Sequence, residues 1–235
     1  MPIPRTKLRP PTLRQPIVPR PRLTSFFIDR RPLTVVSAPA GSGKTTLALE
    51  WLASSKGRVA WLSLDADDND PVRFINGLVA ALQVAGVNFQ APSGQRDLKA
   101  IITEHINQLT DTEAESITLV LDDYHLIKEG AIHSAIAYLL DHIPASLQLV
   151  LVTREALPFP TARLRARGQL REFHVDDLRF TLEETKLFLN KIMGLNLSTE
   201  QIRSLEQYTQ GWVAGLQLAG ISIETRSLSS RETMG

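Results

Sequence analysis

The stretch Ala38-Pro39-Ala40-Gly41-Ser42-Gly43-Lys44-Thr45-Thr46 has the residue types and order needed to hold a run of phosphates. Gly41 and Gly43 let the backbone wrap, so that successive N–H groups from Ala40 to Thr46 point at one anion. A helix opening at Lys44 adds its N-terminal dipole. Lys44 can then reach the β- and γ-phosphates, and the Thr45 hydroxyl can ligate Mg²⁺. The strict pattern begins on Gly where this chain has Ala38. The plainer reading is a glycine-rich turn with an incidental lysine. A strand before it and a helix after it argue against that.

A second centre is the apolar run Ile117–Leu121, which ends on Asp122 and Asp123. In a parallel sheet, ligands lie beyond the carboxyl ends of the strands, so this pair belongs beside the phosphate loop. Asp122 is expected in the Mg²⁺ shell. Asp123 is expected to act as general base on the attacking water, with capping of the next helix as its alternative. A further apolar run, Leu149–Val152, ends on Thr153 and Arg154. Thr153 is expected to hydrogen-bond water or phosphate. Arg154 is expected either to contact the γ-phosphate and report its loss, or to be a salt-bridge partner of the acidic pair.

These residues need a scaffold, and the apolar pattern supplies one. Strands are expected at Leu33–Ala38, Arg58–Leu64, Ile117–Leu121, Leu147–Val152 and, at an edge, Gln169–His174. Helical spacing separates them: Lys44–Ser54, then Ile75, Leu78, Val79 and Leu82, then Leu98–Leu109, then Ile132–Leu140. Alternating strands and helices predict an α/β fold, a P-loop NTPase parallel sheet of about five strands flanked by helices. From Thr181 the pattern turns wholly helical (Thr181–Met193, Ser198–Thr209, Trp212–Thr225) and predicts a small C-terminal helical subdomain. The expected organisation is an arm at 1–32, a nucleotide-binding domain at 33–178, a helical subdomain at 179–226 and a flexible tail at 227–235.

The arm carries 8 of the 14 prolines and eight basic residues against one acid, Asp29. It reads as extended chain, either a flexible basic tail or an arm packed near a ligand and anchored by a helix from Arg22 to Arg31 with Leu23, Phe26 and Phe27 inward. The whole chain of 235 residues is 43% hydrophobic, which excludes a disordered protein. Zero cysteines exclude disulfides, thiol nucleophiles and Cys-ligated metals. A net charge of +1 gives no support to a polycation that coats nucleic acid. No apolar run approaches the ~18–20 residues of a membrane helix, so a cytoplasmic protein without membrane contact is expected.

Taken together, the phosphate loop, Val120-Leu121-Asp122-Asp123-Tyr124-His125, Thr153-Arg154, Leu178–Thr181 and Gly211-Trp212-Val213-Ala214-Gly215-Leu216 resemble the nucleotide-binding module of STAND-class regulators, the MalT-like, LuxR-type ATP-dependent activators. The resemblance runs through nearly the whole chain, including Val18–Leu23 and Trp61–Asp65. It implies a switch that rests with ADP, exchanges it for ATP, self-associates, activates transcription and is reset by slow hydrolysis. It implies roles for Lys44, Thr45 and Asp122 on phosphate and Mg²⁺, for Asp123 in hydrolysis and for Arg154 as γ-phosphate sensor. It places Val18 and Arg20 of the arm beside adenine and ribose. Such regulators continue into sensor and DNA-binding domains, so a fragment of a larger protein is expected.

Competing readings are bland or weaker. Ser198–Thr209 and Trp212–Thr225 look superficially like a helix-turn-helix, but Trp212–Ile223 carries no Lys or Arg and reads as a buried helix, so no direct DNA binding is expected. Arg163, Arg165, Arg167 and Arg171 read as a solvated face. Asp65, Asp67, Asp68 and Asp70 read as loop caps. His125 reads either as a neighbour of the acidic pair or as a residue buried at a strand end. The functional alternative is a turnover P-loop ATPase or kinase, an enzyme in its own right.

Overall fold

The computed structural model describes residues 3–12, 16–55, 57–87, 97–111 and 116–232. Five strands, β1 (Leu33–Ser37), β2 (Arg58–Ser63), β3 (Ile117–Asp122), β4 (Leu147–Thr153) and β5 (Leu170–Phe173), form one sheet in the order β2-β3-β4-β1-β5. Every pairing is parallel. β4 lies between β1 and β3, so the residues that end it fall between the phosphate loop after β1 and the acidic pair after β3. β5 is an edge strand, as its polarity predicts.

Alternation along the strands sorts the core into two layers. Leu33, Val35, Ala60, Leu62, Ile117, Leu119, Leu121 and Leu149 face the helices Pro71–Val84, Leu98–Asp111 and Gly130–Asp141. Val36, Trp61, Val120, Val150 and Val152 face the helix Lys44–Ser54, together with Leu23 and Phe27 of the arm. Trp51 and Trp61 are both core residues, and Phe27 stacks on Trp51 at 4.3 Å.

The arm departs from the expected single helix. Pro21 opens an α-helix of four residues, Pro21–Thr24, which tightens into a 3₁₀ turn at Ser25–Phe27. Leu23 and Phe27 are buried, whereas Phe26 lies half exposed beneath the Arg171 guanidinium at 5.0 Å. Four of the arm's described cations, Arg20, Arg22, Arg30 and Arg31, reach backbone carbonyls. Arg22 donates to the carbonyls of Asp177 and Arg179 and pairs with Glu184 at 2.9 Å, and Arg30 donates to the Ile117 carbonyl at 3.0 Å. At the far end, Lys7 pairs with Asp65 and Asp68.

The Asp-rich loop is a set of caps, as read: Asp65 caps the turn Ala66–Asn69, and Asp70 caps the helix Pro71–Val84 through the Arg73 N–H. The basic run is ion-paired on the surface, Arg163 with Asp141, Arg165 with Glu172 and Arg171 with Asp29.

The C-terminal helices form a separate cluster of Phe180, Phe188, Leu189 and Leu216, into which Val18 of the arm is inserted. The first helix, Leu182–Lys186, widens into a π-helix over Leu187–Ile192. The wider turn lets the adjacent Phe188 and Leu189 both face inward. Two expectations need correction. The last helix runs from Val213 to Glu232 and passes through the start of the expected tail; residues 233–235 lie outside the described residues. Nor is it a buried helix. Leu216 is buried, but Leu218 is 64% and Ile221 46% exposed, because the helix packs along one narrow stripe only. No described helix is long and apolar enough to cross a membrane.

Candidate nucleotide-binding site

The loop between β1 and the helix at Lys44 has the conformation its glycines predict. Gly41 lies at φ +74° and Gly43 at φ +80°, left-handed positions that favour glycine. Lys44 is buried and its Nζ donates to the Pro39 carbonyl at 2.9 Å. Burial, then the Arg154 charge, hold its amine below the ordinary lysine range, against Asp123 and Asp122. The Thr45 hydroxyl donates to both carboxylate oxygens of Asp122 at 3.3 Å. Asp122 is buried, and burial together with neighbouring Asp123 raises its carboxyl to about 6, against opposing hydrogen bonds from the Asp123 N–H and Thr45.

This pair fits Mg²⁺. A buried carboxylate and an alcohol oxygen lie side by side, two hard oxygen donors of the kind this ion takes. Among the described residues no group of three or more acidic, His or Cys side chains converges, so the protein offers part of a coordination shell and not a cage.

Two cavities meet over the loop. One of about 360 Å³ is bounded by Ala40, Gly41 and Gly43–Thr46 of the loop together with Asp123, Arg154 and Gln217. The other, about 390 Å³, is lined by Val18, Arg20, Phe180, Phe188, Val213 and Gln217, among others. They share Gly43, Thr46, Val213 and Gln217 and form one cleft, polar at one end and apolar at the other. Each is within the size range of small-molecule sites.

The predicted residues thus converge, with four refinements. The Ser42 side chain is buried with its hydroxyl lacking a hydrogen-bond partner among the described residues, and the residue lines a separate cavity. Thr153 is turned inward: its hydroxyl donates to the Glu155 carbonyl at 3.0 Å and accepts the Glu155 N–H at 3.2 Å, closing a turn. Arg20 lines the cleft, but its guanidinium donates to the Leu178 carbonyl at 3.0 Å and the Gly43 carbonyl at 3.4 Å. Arg154 is exposed at the polar end and makes no ion pair with another described residue.

Phe180, Val213 and Ala214 enter the sequence reading only through the family resemblance, and Phe188 and Gln217 have no site role in it. They belong to the helical subdomain, which closes over the cleft: the Ala214 N–H donates to the Gly41 carbonyl at 3.1 Å. A Cβ on Gly41 would lie 2.6 Å from that of Ala214. Gly41→Ala is therefore expected to push the subdomain off the loop, raise acrylamide quenching of Trp212, which is already 42% exposed, and weaken nucleotide binding about 10-fold or more.

A family model described as an AAA domain matches residues 28–158. The chain belongs to the AAA domain family. This AAA domain is 35% identical over 243 residues to the HTH-type transcriptional regulator MalT of Vibrio parahaemolyticus, covering 99% of the chain and 26% of that protein. It is 33% identical to the serine/threonine-protein kinase PknK of Mycobacterium tuberculosis, covering 94% of the chain and 21% of that protein. It thus spans about a quarter of the curated relatives it matches, and the MalT-like resemblance holds along almost all of it. Among solved structures, a STAND protein with a tetratricopeptide repeat sensor from Pyrococcus horikoshii matches with TM-score 0.58 and 16% identity over 88% of the AAA domain and 30% of that chain. The Aeropyrum pernix ORC1 protein in complex with DNA matches with TM-score 0.54 and 14% identity over 88% of the AAA domain and 59% of that chain. At these identities the likeness is one of fold.

Proposed function

We propose that this AAA domain is the ATP/ADP-binding switch of a larger, signal-responsive transcriptional regulator in the cytoplasm. It hydrolyses ATP slowly with Mg²⁺ and thereby resets an active, self-associating state. The observation that carries this reading is the two-ended cleft. Its polar end gathers Lys44, Thr45, Asp123 and Arg154, with Asp122 hydrogen-bonded behind Thr45, and its apolar end is made by the arm and the helical subdomain. A nucleotide placed there touches three separate parts of the chain, so its presence sets their arrangement.

The loop N–H groups and Lys44 hold the β- and γ-phosphates. Mg²⁺, held through Thr45 and Asp122, supplies charge neutralisation of the phosphate oxygens. Asp123 takes the proton of a water whose oxygen bonds to the γ-phosphorus, while the bond from that phosphorus to the ADP oxygen breaks. Arg154 faces the γ-phosphate and loses that contact when phosphate leaves. Val18, Phe180 and Phe188 surround the adenine, and Arg20 holds that wall in place. DNA recognition and inducer sensing fall to other domains of the parent protein. The similarity to MalT over 99% of the chain supports this assignment of roles.

Purified protein, denatured and analysed for nucleotide, is expected to release ADP. Steady-state hydrolysis is expected to be slow; turnover of many ATP per second without partners would replace the switch by an enzyme in its own right. Asp123→Asn is expected to keep nucleotide affinity and lose hydrolysis by roughly 10²–10⁴-fold, measured as phosphate release in single turnover.

A further inference from the structure

The turn after β3 holds a residue that the proposed chemistry does not use. Asp123 sits at φ 58°, ψ 37°, a left-handed conformation that is unfavourable for a residue with a side chain. Such a conformation persists only where the surroundings hold it. Here they do. The Leu126 N–H donates to the Asp123 carbonyl at 3.0 Å. Tyr124 is buried, and its hydroxyl lies 2.9 Å from His133 Nδ1. From the opposite side, Asn69 donates to the Leu126 carbonyl at 2.9 Å and accepts the backbone N–H groups of Lys128 and Glu129. The turn is therefore clamped, while the Asp123 side chain remains 42% exposed and makes no cap hydrogen bond.

Within this turn His125 is 10% exposed, and its Nδ1 is buried without a hydrogen-bond partner. An orphaned buried ring nitrogen is unfavourable, which calls for an explanation. An acidic oxygen near it is Asp123 Oδ1 at 3.8 Å, a little beyond hydrogen-bond reach. A shift of under about 1 Å in the exposed carboxylate closes that gap. Hydrogen bonds of this kind are often long in ligand-free sites and tighten on the substrate complex.

We propose that His125 is the positioning residue for Asp123: its Nδ1–H donates to the Asp123 carboxylate and leaves the other oxygen directed at the attacking water. The carboxylate acceptor also selects the Nδ1–H tautomer. This rests on the reading of Asp123 as general base.

Two variants of similar size separate positioning from filling. In His125→Asn the amide nitrogen can take the place of Nδ1; in His125→Gln it falls near Nε2, pointing away. The measurements are single-turnover ATP hydrolysis with Mg²⁺, nucleotide affinity and Tm, all on the full chain. His125→Gln and His125→Ala are expected to slow hydrolysis roughly 10- to 100-fold at unchanged affinity, and His125→Asn to recover most of it. In an Asp123→Asn background the same changes are expected to have no further effect. Equal rates for the Asn and Gln variants, or an undiminished effect of His125→Gln in the Asp123→Asn background, would overturn the proposal. Hydrolysis by the wild type that is indifferent to His125 overturns this inference alone. No hydrolysis by the wild type overturns the base role of Asp123 and this inference with it.

Discussion

Lys44→Ala is expected to lower the affinity for ATP and ADP by roughly 10²–10³-fold, about 3–4 kcal/mol, by calorimetry. The amine is buried at the polar end of the cleft, so its bond to phosphate forms where water competes least. The nucleotide-free protein is expected to behave differently. Burial and Arg154 disfavour the charged amine there, and its bond to the Pro39 carbonyl only partly compensates. Removing it should leave the ligand-free Tm unchanged or slightly raised. The thermal signature is then specific: ATP with Mg²⁺ raises the Tm of the wild type, since a ligand that binds only the native state stabilises it, and fails to raise that of the variant. Unchanged affinity would remove the phosphate-loop assignment.

Arg20→Ala is expected to destabilise the fold itself, by about 2–4 kcal/mol, or roughly 5–15 °C in Tm for a chain of this size. The guanidinium is 2% exposed. It ties the Leu178 carbonyl, where the helical subdomain begins, to the Gly43 carbonyl of the phosphate loop, and it lies 5.6 Å from the centre of the Phe180 ring. Its backbone N–H is bound by the half-buried Glu50 at 2.5 Å. Truncation strands a carbonyl and deprives Glu50 of a nearby cation. Arg20→Lys is expected to recover little, because one ammonium cannot span both carbonyls in the planar geometry of the fork. A Tm within about 1 °C of wild type would show that the arm is held by its apolar residues alone.

The sheet and the polar half of the cleft were legible in the sequence because each is written locally. The loop, its lysine and its threonine are contiguous, and each acidic or basic group ends an apolar run whose period marks a buried strand. The insertion of β4 between β3 and β1 was not legible, since strand order is set by crossovers and not by any one segment. The apolar half was missed for a similar reason. Phe180, Phe188, Val213 and Gln217 are ordinary residues of amphipathic helices, and only the packing of a distant subdomain brings them to Val18. The arm's proline pattern predicted extended chain correctly between the short turns, but could not say where its cations would go. Four of them reach backbone carbonyls, partners that no charge count reveals. The absence of Lys and Arg from Trp212–Ile223 predicts a buried helix, yet a helix resting on one stripe exposes the rest.

The two segments that meet at Arg20 and Arg22 lie at opposite ends of the chain, and both fall outside most of the stretch that defines the family, residues 28–158. The shared stretch contains the whole phosphate apparatus and almost none of the wall at the other end of the cleft. Under the proposed reading, the phosphate contacts and the base contacts are written in different parts of the sequence. On that reading, changes at Val18, Phe180 or Phe188 alter which nucleotide binds and leave the phosphate contacts in place.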